Sequence, residues 1–108
     1  MAAKVDLNID QGATFSYDIN LKDSLGIPLN LSGYTGNAQL RTSYSANTYT
    51  AMDVDIIEAA GLVQLSMNAA TTATLTRTRY LYDVELHHNG VTSRLIEGFV
   101  NVDLNVTR

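Results

Sequence analysis

The sequence predicts an all-β protein, an antiparallel β-sandwich of about seven strands with one short crossover helix. Three observations lead to this fold class. Apolar and polar residues alternate with a period of two in most segments, turn-forming residues separate those segments, and an Asn-Gly pair lies between the last two. At 108 residues, the chain is long enough for one domain, residues 1–108, around a single core.

Four strands are predicted in the first half of the chain. Residues 5–9 and 15–21 alternate apolar side chains with polar ones. A turn at residues 23–28 follows and contains the only proline, which holds the exit of the loop extended. Residues 35–44 and 49–57 resume the alternation as the third and fourth strands.

A hairpin and a short helix follow. Residues 62–67 alternate as well, and a glycine-containing turn joins them to the fourth strand. Residues 68–76 break the pattern, because Asn68 can cap a helix and the alanines after it allow one. The threonines in this segment limit its length, so we predict one or two helical turns that cross between sheets.

The last two strands form a hairpin around Asn89-Gly90, the pair most typical of a two-residue turn. Counting outward from the turn gives the pairing: His88 faces Val91, Leu86 faces Ser93, Glu85 faces Arg94, Val84 faces Leu95 and Tyr82 faces Glu97. This register sets opposite charges against each other on the solvent face and aliphatic side chains against each other in the core. Each such pair stabilises a sheet by roughly 0.2–1 kcal/mol.

The alternation changes phase near Gly98. Strict alternation from Leu95 would turn Glu97 and Phe99 inward, whereas the apolar residues downstream begin at Val100. One extra residue reverses the faces of a strand, so we predict a β-bulge at residues 96–98 with glycine supplying the backbone freedom. Glu97 is then a carboxylate that binds backbone N–H groups or a tyrosine hydroxyl. The alternative, a catalytic acid, has no other support.

Tyr80 indicates the kind of sandwich. It follows the crossover and lies two residues before Tyr82, an inward position. In immunoglobulin-like sandwiches, a tyrosine at this place forms the tyrosine corner, in which its hydroxyl bonds to the backbone a few residues upstream. The alternative is that Tyr80 is one more aromatic residue of the core. The spacing favours the corner and therefore an immunoglobulin-like fold.

Composition argues against several functional classes. The net charge is −4 and no basic run occurs, so a nucleic-acid partner is not expected. No apolar stretch reaches the roughly 18 residues of a membrane helix, and residues 1–4 are not followed by the apolar core of a signal peptide. The absence of cysteine excludes disulfides, thiolate metal sites and cysteine nucleophiles.

Candidate chemistry is weak at each position considered. Asp53 and Asp55 lack the glycine and the distal glutamate of a calcium loop, and outward carboxylates on a strand are usually solvated. His87 and His88 are adjacent, so they point to opposite faces of a strand. Neither a nucleophile elbow nor a glycine-rich phosphate loop occurs. We expect a non-enzymatic protein without metal or cofactor.

Three segments together resemble a family of small virion proteins from tailed bacteriophages. They are VDLNIDQGATF at residues 5–15, DSLGIPLNLSGY at residues 23–34, and residues 80–108 with their YDVEL, RLIEG and terminal VTR. The middle segment is also similar to the immunoglobulin-like N-terminal domain of phage baseplate upper proteins. The resemblance implies a structural part of the tail, baseplate, connector or capsid decoration, present in multiple copies and bound to other virion proteins. It implies localisation in the virion, and in the host cytoplasm during assembly.

Two further expectations concern surfaces. The alternation continues to the last residue, so Leu104, Val106 and Arg108, like residues 1–4, which are predicted to be unstructured, are candidates for contact with a neighbouring subunit. The alternative is that the last strand closes the domain's own sheet. The rival function is a carbohydrate- or receptor-binding module, with Tyr34, Tyr44 and Tyr49 as stacking rings. These tyrosines are more simply interpreted as half-buried strand residues.

Overall fold

A computed structural model describes residues 3–43 and 47–106 of the chain and confirms the all-β class. The described part contains eight strands and two short helical turns. The strands are β1 (Ala3–Lys4), β2 (Leu7–Asp10), β3 (Phe15–Asn20), β4 (Thr35–Arg41), β5 (Thr50–Ile57), β6 (Leu62–Met67), β7 (Arg79–His88) and β8 (Val91–Asp103). A 3-10 turn at Glu58–Ala60 joins β5 to β6.

The predicted crossover helix is present as a single turn, α1 (Ala69–Thr72). The Asn68 side chain caps it, since Oδ1 accepts a hydrogen bond from the Thr71 amide at 2.8 Å. Thr72 is fully buried, and its hydroxyl donates to the Ala13 carbonyl at 2.8 Å and accepts from the Gly12 amide at 3.0 Å. The helix therefore fastens the turn between β2 and β3.

The strands follow one hydrogen-bonded path in the order β1–β8–β7–β4–β5–β6–β3, with β2 also on β8. Strand β5 serves two neighbours, because its residues 50–52 pair with β4 and its residues 53–57 pair with β6. The division into two separate sheets that a sandwich requires is not confirmed by this continuous path. The other pairs are antiparallel, but β1 and β2 run parallel to β8.

The N-terminal strand corrects an expectation. Ala3 and Lys4, predicted to be unstructured, pair with Ile96 and Glu97 of β8. The Val5 amide continues this register by donating to the Glu97 carbonyl at 2.9 Å. These residues therefore complete the domain's own sheet.

One hydrophobic cluster contains side chains from β2 to β8 and from two loops. Its members are Leu7, Ile9, Phe15, Leu31, Ala38, Leu40, Met52, Val63, Leu65, Met67, Leu75, Tyr80, Tyr82, Val84, Leu86, Ile96, Val100 and Val102. The predicted inward residues of β6 and β7 are all buried. In β3 only Phe15 is buried, because this strand ends the path and one of its edges is open to solvent.

The last hairpin is confirmed at its turn and corrected further out. Asn89 and Gly90 both have positive φ, +50° and +77°, as a type I′ turn requires. The three predicted pairs nearest the turn are present, including Glu85 opposite Arg94. Beyond them, Val84 pairs with Ile96 and Tyr82 with Gly98, not with Leu95 and Glu97.

The predicted bulge explains the shift, although it lies one residue earlier than expected. Glu85 pairs with Arg94 and the preceding residue, Val84, pairs with Ile96. Leu95, between Arg94 and Ile96, is therefore left without a partner across the strands. Gly98 has a different role from the predicted one. A Cβ there would lie 2.4 Å from the Val5 carbonyl oxygen, so glycine is required because β8 closely approaches the N-terminal strand.

Candidate interaction surfaces

Tyr80 makes the hydrogen bonds of the predicted tyrosine corner. The side chain is buried, and its hydroxyl accepts from the amides of Thr76 at 3.1 Å and Arg77 at 3.2 Å. These amides lie four and three residues upstream, the direction that the corner motif requires. Both amides lie beyond α1, which ends at Thr72, and the Tyr80 hydroxyl gives them an acceptor. Tyr80 therefore fixes the path of the chain into β7.

Tyr82 joins β7 to the N-terminal strand. Its hydroxyl donates to the Val5 carbonyl oxygen, and the ring belongs to the core. Burial is the main reason that the pKa of Tyr82 is raised, and the charges of Tyr17 and Asp6 add to the effect. The phenol is therefore a donor throughout the physiological pH range.

The charged residues of the last hairpin are arranged differently from the prediction. Arg94 forms its ion pairs with Asp83 at 3.5 Å and Glu97 at 3.3 Å, although Glu85 is its cross-strand partner. Glu97 also lies 4.0 Å from Lys4. The bulge causes this rearrangement, because it sets Asp83 directly opposite Glu97 and leaves Arg94 to bridge the two carboxylates.

The sequence predicts that Glu97 binds backbone amides or a tyrosine hydroxyl. In the described residues its carboxylate instead lies against Lys4 and Arg94. A different carboxylate binds a backbone amide, since Asp6 Oδ1 accepts from the Phe99 amide at 3.1 Å. The sequence could not reveal the bond between Asp6 and Phe99, since the two residues are 93 positions apart.

Asp83 has a raised pKa, first because of burial and then because of Glu85, while Arg94 partly opposes the shift.

Two adjoining shallow depressions lie over the outer face of β4, β7 and β8, with volumes of about 400 and 410 Å³. They share Leu81, Asp83 and Arg94. At one side, Arg79 lies over the Phe99 ring, 4.9 Å from its centroid. The surface offers amide, carboxylate and guanidinium groups suited to hydrogen bonding.

The two histidines take part in contacts within the domain. His87 Nε2 lies 3.1 Å from Asn37 Nδ2, and its Nδ1 lies 2.9 Å from Thr92 Oγ1. His88 stacks on Tyr34 with ring centroids 4.3 Å apart.

Among residues 3–43 and 47–106, no group of three or more His, Asp or Glu side chains could hold a metal ion. In the same part of the chain, no helix is long and apolar enough to cross a membrane.

The three tyrosines considered as stacking rings do not form one platform. Tyr34 is half-buried on His88 and precedes the first residue of β4. Tyr49 is exposed beneath Arg41, whose guanidinium carbon is 5.3 Å from the ring centroid, at the opposite end of β4. Tyr44 lies outside the described residues.

The C-terminal candidates are only partly described. Strand β8 ends at Asp103, so the alternation does not continue as a strand through Leu104 and Val106. Both side chains are exposed, Val106 almost completely. The Asn105 amide donates to Gln11 Oε1 at 3.0 Å, which fastens the segment to the turn after β2. Arg108 lies outside the described residues.

The loop at residues 22–28, which we call the knuckle, holds two aliphatic side chains in solvent. Leu25 is 81% exposed and Ile27 56% exposed. Asp23 fixes the loop, since its Oδ1 accepts from the Leu25 amide at 2.8 Å and the Ile27 amide at 3.0 Å. The sequence predicts only a turn here, and the signal of something more is the two large aliphatic residues among turn-forming ones.

Two other loops lie at the same end of the molecule as the knuckle. The Leu31 amide donates to the Glu58 carbonyl at 3.0 Å, which brings in the turn after β5. Tyr34, on the same connection, stacks on His88 beside the hairpin turn. Ile57, the last residue of β5, and Val91, the first residue of β8, are also exposed beside these loops. The result is an end of the molecule with several uncovered aliphatic side chains.

No protein-family model matches the chain, and the comparison with curated proteins finds no match.

Proposed function

We propose that the chain is a non-enzymatic structural part of a tailed phage particle, in the tail, baseplate, connector or capsid decoration. It acts through contacts with other virion proteins and is present in multiple copies. The resemblance of three segments to small phage virion proteins is the reason for choosing this class. Its sites of action are the virion and, during assembly, the host cytoplasm.

The strand order supports the immunoglobulin-like part of this proposal. In such domains the second, fifth and fourth strands are neighbours, as are the third, sixth and seventh. If β2 is counted as the first strand, β3, β6 and β5 are neighbours, and so are β4, β7 and β8. The bonds of Tyr80 to upstream amides agree with the same family of folds.

The observation that carries the proposal is the uncovered aliphatic end. Leu25 and Ile27 of the knuckle are exposed, as are Ile57 at the end of β5 and Val91 at the start of β8. Exposed aliphatic side chains at one end of a domain favour an interaction site there, because a domain that needs only to stay soluble would place polar residues at these positions. The open edge of β3 offers backbone groups for the same purpose.

The test is to purify particles of the phage that encodes the chain on a density gradient and to quantify their proteins by mass spectrometry. We expect the chain in a fixed ratio to the major particle proteins, and the ratio should survive repeated gradients. Particles without the chain, together with all of it in the soluble fraction, would contradict the proposal.

The second candidate is a carbohydrate- or receptor-binding module that uses the two polar depressions. The favouring observation is the exposed Phe99 ring beside the shared Asp83 and Arg94, since a ring next to hydrogen-bonding groups suits a sugar. Glycan-array binding that Asp83→Asn abolishes and Asp53→Asn leaves unchanged would favour this function. An array without signal would leave it unsupported.

A further inference from the structure

We infer that copies of this chain associate head to tail, with the knuckle of one copy inserted in an apolar pocket at the other end of the next. The inference deepens the proposed function by naming the partner, and it rests on that function only in treating the uncovered end as an assembly contact. Both halves of the contact are present on the chain.

The conformation of the knuckle is fixed by hydrogen bonds within the loop. Besides the two bonds to Asp23 Oδ1, its backbone is closed by the Asp23 amide on the Ile27 carbonyl at 2.9 Å and the Gly26 amide on the Asp23 carbonyl at 3.0 Å. Gly26 has φ of +80°, which permits the tight reversal. Leu25 and Ile27 are therefore held outward by a loop that has little conformational freedom to lose on binding.

The pocket has a volume of about 350 Å³ and is lined by Thr42, Ser43, Arg79, Tyr80, Leu81 and Phe99. The Phe99 ring is 40% exposed, and Leu81 pairs with it across β7 and β8. The Tyr80 hydroxyl is directed to its own upstream amides, so the ring is what this residue contributes. Such a pocket suits one or two aliphatic side chains.

The knuckle and the pocket lie at opposite ends of β4. The knuckle belongs to the connection that enters β4 at Thr35, whereas Thr42 and Ser43 follow its last residue, Arg41. Seven strand residues span roughly 23 Å, and the molecule is 45 Å long. A knuckle therefore cannot reach the pocket of its own chain, and the contact joins two different surfaces of two copies.

Charge favours the same partner. The knuckle carries the Asp23 carboxylate, and the pocket carries the Arg79 guanidinium over Phe99. Docking Leu25 and Ile27 in the pocket would bring these opposite charges to the same contact, whereas Lys22 lies at the base of the knuckle, where it pairs with Pro28. Because the two surfaces differ, repetition of the contact produces a closed ring or an open filament.

Sedimentation velocity over a concentration series tests the contact with purified full-length chain. We expect the wild-type sedimentation coefficient to rise with concentration. Leu25→Asp and Phe99→Ser should each lose this dependence and stay monomeric. Ser93→Asp is the matched control, since Ser93 is exposed on β8 outside both the knuckle and the pocket, and it should behave like the wild type. Far-ultraviolet circular dichroism checks each fold, and Ile27→Asp and Arg79→Glu serve as second variants of the two surfaces.

Mixing the two blocked variants gives the sharpest outcome. Leu25→Asp retains an intact pocket and Phe99→Ser an intact knuckle, so the mixture should form a one-to-one dimer and nothing larger. A mixture of two knuckle variants should stay monomeric. No dimer in the first mixture, or a wild-type chain that is monomeric up to about 1 mM, overturns the inference. Because this readout needs no particle, it is separate from the test of the proposed function.

Discussion

At the scale of single residues, Tyr80 shows how one hydroxyl organises an entry into a strand. Tyr80→Phe should lower the free energy of unfolding by about 0.5–1.5 kcal/mol, because two backbone amides lose their acceptor while the ring stays in the core. Urea denaturation measures the change. Tyr49→Phe alters an exposed tyrosine and is the control. An unchanged midpoint for Tyr80→Phe would mean that the residue only fills the core.

Gly98 tests a steric requirement at the same scale. Gly98→Ala should destabilise the domain by about 1–3 kcal/mol, since the new Cβ would meet the Val5 carbonyl oxygen and the Asp6 carboxylate and force β8 away from the N-terminal strand. Ser93→Ala, an exposed position on the same strand, should change stability by less than about 0.5 kcal/mol. Equal melting temperatures for the two variants would contradict the close approach.

At the scale of elements, the outer face of β7 and β8 carries a pH dependence. The raised pKa of Asp83 means that the folded state holds this proton more tightly than the unfolded chain. Stability linked to Asp83 therefore declines as pH rises from the ordinary value of 3.8 through the raised folded pKa. Asp83→Asn should melt slightly higher than wild type at pH 7, and the difference should vanish near pH 3. Asp53→Asn, an exposed aspartate, is the control. A lower melting temperature for Asp83→Asn at pH 7 would show that its ion pair with Arg94 dominates.

Elements also show where sequence reasoning succeeds. The strands, the Asn89-Gly90 turn and the Asn68 cap depend on neighbours along the chain, so period and turn chemistry predict them. The position of the bulge at Leu95, the shared pairing of β5 and the parallel β1 depend on contacts between distant segments. The exposure of Leu25 and Ile27 also depends on distant segments. The sequence of a turn is the same whether or not another segment covers its aliphatic side chains.

At the scale of the whole molecule, the strand path leaves two kinds of free surface. One is the open edge of β3, whose residues 16–18 and 20 are exposed and which carries Asp18 as its one charged side chain. The other is at the two ends of the fold, with Leu25 and Ile27 of the knuckle exposed at one end and Phe99 of the pocket exposed at the other. An elongated domain of this kind is suited to repeated contacts along its length, and a contact at the pocket would also cover Phe99 at the margin of the outer face.

The segment after β8 is the remaining candidate for contact at this scale. Removing residues 104–108 should preserve the fold, because β8 ends at Asp103 and Leu104 and Val106 are exposed. The loss of the Asn105 bond to Gln11 should cost about 0.5–1.5 kcal/mol in urea denaturation. If the segment is an assembly contact, the truncated chain should fold and yet be missing from purified particles. Incorporation at the wild-type copy number would rule the segment out and leave the knuckle and the β3 edge as the candidate contacts.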